Sequence, residues 1–160
     1  MATIEPTARR KFLVVVDDTA ECRVATRFAA RRAEHTGGLV TLLFVVAPPI
    51  MQQWRGVERI MREEAMAEAE AHLHTAAGKV HALTGITPEL VIREGKKRDE
   101  VLALIKEDRA ISILVLAAGV GKEGPGPLVS MVASESKHAY PLPVTVVPGD
   151  LTDEEIADLA

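Results

Sequence analysis

Residues 12–46, "FLVVVDDTAECRVATRFAARRAEHTGGLVTLLFVV", hold two apolar runs separated by one amphipathic stretch. The runs "FLVVVD" (12–17) and "LVTLLFVV" (39–46) lack the strict polar alternation of a sheet wetted on one side. Strands of that kind are buried on both faces, as in a parallel sheet covered by helices. Between them, Val24, Phe28 and the alanines form an apolar stripe while the arginines lie off it. Asp18, with Glu21 three residues on, reads as a capping box, and Gly37-Gly38 supplies the stop. Strand, helix and strand in this spacing make a βαβ unit.

The same alternation continues outward. "PELVIREG" (88–95) is half polar and suits an edge strand, "ISILVLAA" (111–118) is a third buried run, and "PVTVV" (143–147) is a short last strand closed by Pro148-Gly149. Helical periodicity fills the gaps. One long helix is expected from about Trp54 to Leu83, with Ile60, Ala65, Ala69, Leu73, Ala76, Val80 and Leu83 near one face. Further helices are expected over 96–110 and 128–140. The order βαβαβαβαβ predicts a doubly wound parallel α/β sheet, which binds ligands beyond the carboxyl ends of its strands, where the strand order reverses.

The chain has 160 residues, 48% of them hydrophobic, enough for one domain with one core. We expect a flexible N-terminal segment over 1–10, the domain over 11–148, and an acidic tail over 149–160. In that tail Thr152 and Glu155 make a second capping box for a short helix, with Ile156 and Leu159 placed to dock on the body. The aromatics are Phe12, Phe28, Phe44, Trp54 and Tyr140, too few for a base-stacking surface, and a net charge of −4 lacks the basic excess of a nucleic-acid coat. The most apolar stretch, "LVTLLFVVAPPI", is too short to span a bilayer. "MATIEPTARR" has no apolar signal core, and a lone Cys22 excludes an intrachain disulfide. No nucleic-acid or membrane partner is expected, and the expected location is cytoplasmic.

Five segments in order, "FLVVVDDTAEC", "LLFVVAPP", "REGKKRDEVLALI", "ILVLAAG" and "HAYPLPVTVV", give the chain a resemblance to the universal stress protein family over roughly residues 10–148. The resemblance implies a five-stranded parallel sheet in the order 3-2-1-4-5 with helices on both faces, Rossmann-like and similar to adenine nucleotide alpha hydrolases. The switch point then lies between the first and fourth strands, where "DDTAEC" faces "AAGVGKEGPGPLVSM" (117–131). Nucleotide-binding members carry an acid after the first strand and a loop G-x2-G-x9-G-[ST] after the fourth. Asp17 matches the acid, and Val45 matches a position whose backbone contacts adenine. The loop departs from the pattern. Counted back from "PLPVTVV", Ala117, Val120, Ser130 and Met131 stand at its fixed positions; started at Gly121 and Gly124, it ends on Ser134 and Glu135. The resemblance is therefore to a member with a degenerate ATP-binding loop.

Read from the residues alone, "GVGKEG" (119–124) satisfies G-x-G-x-x-G, but Pro125 and Pro127 delay the helix and Val144 stands where the dinucleotide acid belongs. Gly119, Gly121, Gly124 and Gly126 could still offer amides to a mononucleotide, with Lys122 and the Ser130 hydroxyl nearby; the preferred reading is a flexible connection. Asp17-Asp18 could hold Mg²⁺ beside a phosphate; otherwise Asp18 caps the helix and Asp17 ends the strand. The candidate cofactor-binding residues are thus Asp17, Thr19, Val45, Gly119, Gly121, Gly124 and Ser130. His72, His74 and His81 form no ligand set and read as solvated, and Cys22 reads as an ordinary packed or partly exposed cysteine. Lys96-Lys97-Arg98 is a solvated helix start that opposes the helix dipole. No arrangement supports a catalytic residue or a metal site.

The function expected is a non-catalytic, dimeric stress-response or regulatory protein that acts through a protein partner and carries no cofactor. The alternative is a sensor that binds ATP or AMP with Mg²⁺, with slow hydrolysis. The homodimer is expected through Pro143, Val144, Thr145, Val146 and Val147, an edge without blunting charges, unless the tail folds back over it.

Overall fold

A computed structural model describes residues 9–49, 55–134 and 140–160. Most of the expected N-terminal segment, Trp54 and the stretch 135–139 lie outside them. The elements are β1 (Lys11–Val15), α1 (Ala20–Thr36), β2 (Leu39–Val46), α2 (Arg55–Thr84), β3 (Glu89–Glu94), α3 (Lys97–Glu107), β4 (Ile111–Ala118), α4 (Pro127–Ser134), β5 (Val144–Pro148) and α5 (Asp153–Leu159).

All strand pairs are parallel and the order is β3-β2-β1-β4-β5. β1 is central, and its alternate residues feed two cores. Phe12, Val14 and Val16 pack beneath α1 and α2, while Leu13 and Val15 pack on the side of α3. Both β2 and β4 fall on their expected bounds, and β3 is an edge. Among the described residues no helix is long and apolar enough to cross a membrane.

Three local expectations about the helices are corrected first. Helix α1 begins one residue after Thr19, which is its N-cap without a side-chain cap bond, so the Asp18–Glu21 capping box does not form. Its other end is as expected: Gly37 adopts φ 69°, left-handed backbone that favours glycine. Ile60 is 52% exposed rather than in the core. A helix of 30 residues is about 45 Å long, far longer than the eight-residue strand it covers. Its first turns outrun the sheet, whereas Ala69, Leu73 and Val80 farther along are buried. The fourth helix does not reach Tyr140, which lies in a non-helical segment.

The tail folds as a docked helix. Thr152 and Glu155 form the expected capping box, and Ile156 is fully buried in the α1 core. Arg23 and Arg27 both reach Asp153 at 3.2 Å, and His35 Nδ1 lies 2.8 Å from the Ala160 carbonyl. Leu159 stays 63% exposed, contrary to expectation, whereas Ile156 and Ala160 of the same tail pack on the core. The tail docks on a helix, and Val146 on β5 remains 40% exposed.

Candidate functional site at the ends of β1 and β4

The reversal of strand order falls between β1 and β4, so the crevice predicted from topology lies at the loops leaving these two strands. After β1 the chain turns on Asp17. One Asp17 oxygen accepts from both the backbone N–H and the hydroxyl of Thr19, and the other lies 3.6 Å from Lys97 Nζ. Lys97 is the first residue of α3. Its ammonium therefore meets a carboxylate across the crevice, which accounts for a cation placed where the dipole alone disfavours it. Sequence reading missed this pair because no local pattern joins residues so far apart.

Cys22, in the first turn of α1, is partly buried. Its sulfur accepts from Asp17 N at 3.5 Å and donates to Val15 O at 3.8 Å, and burial pushes its thiol pKa up. Val45 is half-buried in β2 opposite Arg93, with its side chain packed towards the α3 side.

After β4, the glycine loop bonds to itself. Gly119 N–H donates to Pro125 O and Gly124 N–H donates to Gly121 O, each at 3.2 Å. A Cβ on Gly119 would stand 2.8 Å from Gly124 O and 3.0 Å from Glu21 Oε1. The first turn of α1 thus brings a carboxylate against the loop, where a phosphate would need positive potential. Gly121 and Lys122 are exposed, and Val120 is 67% exposed. Ser130 donates its backbone N–H to Gly126 O at the start of α4, and its exposed side chain lines a recess of about 320 Å³ with Lys97 and Arg98. So Asp17, Thr19 and Gly119 surround the crevice, whereas Gly121 and Gly124 turn into the loop itself.

Beyond the crevice, no group of three His, Cys, Asp or Glu side chains capable of holding a metal occurs among the described residues. His74 and His81 are exposed as expected, but His72 stacks on Phe44 with ring centroids 5.7 Å apart and an interplanar angle of 15°. A groove of about 950 Å³ runs between α1 and α2 from Asp17 to Leu83. Nothing in the sequence periodicity marked it.

Residues 8–148 match the sequence pattern of the universal stress protein family. The chain belongs to that family. A universal stress protein of Mycolicibacterium smegmatis is 31% identical over 144 residues, covering 86% of this chain and 48% of that protein. This universal stress protein therefore spans about half the length of that relative. In fold it is similar to the universal stress protein UspA from Lactobacillus plantarum, with a TM-score of 0.70, 20% identity, and coverage of 89% of this chain and 99% of that one. It is also similar to an Arabidopsis thaliana family member solved with AMP bound, with a TM-score of 0.61, 21% identity, and coverage of 87% and 91%.

Proposed function

We propose that this universal stress protein is a non-catalytic, homodimeric regulator of the cytoplasm that acts through protein partners and leaves its strand-end crevice without a nucleotide. The observation that carries the reading is the self-closed loop after β4. Phosphate binding after a strand depends on backbone amides that point outwards with no other acceptor. Here the amides of Gly119 and Gly124 already have acceptors, Pro125 and Pro127 have none to give, and Glu21 adds negative charge at Gly119. Dimer formation is supported by the sheet edge at β5, where Val146 is 40% exposed while the tail docks elsewhere.

A second reading, an AMP- or ATP-binding sensor, is favoured by the AMP in the Arabidopsis relative and by an acid, Asp17, at the end of β1. Denaturing the purified protein and chromatographing the released small molecules separates the two. The regulator reading expects no stoichiometric adenine nucleotide; one AMP or ATP per chain would replace it with the sensor.

A further inference from the structure

We propose that the groove between α1 and α2, which meets the strand-end crevice at Asp17 and Thr19, is a binding site for a medium-chain fatty carboxylate held at its far end. Its depth comes from small facing residues. Cys22, Thr26 and Ala30 on α1 oppose Ala71, Thr75 and Ala76 on α2, where helices packed on a sheet ordinarily interdigitate larger side chains. About 950 Å³ is thereby left between them. That size, with a mostly apolar lining, is typical of small-molecule sites.

The polar atoms at the floor ask for nothing from a ligand. The Thr26 hydroxyl donates to Cys22 O at 2.8 Å, and the Cys22 thiol to Val15 O. An alkyl chain fits such a floor, because it gains burial without stranding a donor or acceptor. One end of the groove is cationic. Lys79 makes no ion pair among the described residues, and Arg27 shares the single carboxylate of Asp153 with Arg23, leaving one positive charge in excess. Arg27 Nε is out of solvent and faces Asp153 at 3.2 Å without hydrogen-bond geometry. The opposite end carries Asp17, Asp18 and Glu68, which repel an anion. The carboxylate therefore sits by Lys79 and Arg27, and the chain runs towards His72, whose ring is held on Phe44. From Lys79 to His72 the helix rises about 10 Å, a distance a chain of about ten carbons covers.

Calorimetric titration of the intact chain with hexanoate, octanoate and decanoate, and with decanol as the uncharged match, tests this. We expect one site per chain, with affinity rising about fourfold per added methylene. Lys79→Met, at an exposed position, should weaken decanoate about tenfold and leave decanol unchanged. Ala76→Phe should fill the floor and remove both ligands, with circular dichroism confirming the fold. The proposal is overturned by any of three results: no saturable decanoate binding below its micellar concentration, equal affinity for decanoate and decanol, or unchanged decanoate binding in Lys79→Met or in folded Ala76→Phe.

Discussion

Gly149 lies directly on the carbonyl of Ala118: its N–H donates to that oxygen at 2.9 Å, and a Cβ at position 149 would stand 2.2 Å from it. The chain leaving β5 is thus fastened to the end of β4 before it turns to dock α5. The same Cβ would also meet Glu21 Cβ at 2.8 Å, so β4, α1 and the tail converge at one point.

Gly149→Ala should therefore cost about 2 kcal/mol or more, because the clash is with backbone that cannot rotate away. Gly121→Ala is the control. Nothing lies within 4 Å of a Cβ there, and stability should move by less than about 0.5 kcal/mol. Urea denaturation of the three proteins measures both.

Asp17 holds the turn into α1 by accepting twice from Thr19 and by facing Lys97. Asp17→Ala should lower stability by about 1 kcal/mol. Lys97→Met should cost less, since its ion pair spans 3.6 Å and is partly exposed. A thermal melt of Asp17→Ala that overlays the wild type would show that the turn is held by other contacts.

Lys11 lies 2.6 Å from Asp108 and 3.1 Å from Glu89, tying β1 to the end of α3 and to the start of β3. The hydrogen bond to Asp108 raises the Lys11 pKa above its ordinary 10.5, and the same bond lowers that of Asp108. A depressed carboxylate stabilises the fold above its unfolded pKa, near 3.9, and that contribution fades as pH falls through the folded value. A raised lysine stabilises below its unfolded pKa and loses the contribution as pH rises through the folded value. The stability gap between wild type and Lys11→Met should be flat from about pH 5 to 9 and shrink on both sides. Urea midpoints across that range read it directly.

The sheet was legible because its evidence is local. The β-branched runs at 39–46 and 111–118 end at Gly, Pro or charge, and both strands fall on those bounds. The Thr152–Glu155 box was equally plain, since both partners sit within one turn. What escaped is non-local. Asp18 has the sequence of a cap, yet the helix starts later because the Thr19 hydroxyl turns back to Asp17. Ile60 follows the helical stripe, but α2 outruns the sheet that would bury it. The Asp17–Lys97 pair, the Glu21 carboxylate at Gly119 and the α1–α2 groove depend on how elements distant in sequence come together.

If β5 forms the dimer, Val146→Asp should place like charges near each other across a two-fold axis and yield a monomer with unchanged helical content. Light scattering with circular dichroism checks both halves of that statement. A monomeric wild type at high micromolar concentration, or a dimeric variant, would move the interface away from this edge.

Calorimetric titration of the wild-type protein with MgATP and with AMP tests most directly whether the loop after β4 is closed to phosphates. A micromolar site would correspond to about −8 kcal/mol of binding free energy and give a clear isotherm. We predict no saturable heat with either nucleotide. A one-to-one isotherm in the micromolar range would contradict the account, because the bonds from Gly119 to Pro125 and from Gly124 to Gly121 would then have to open for a ligand.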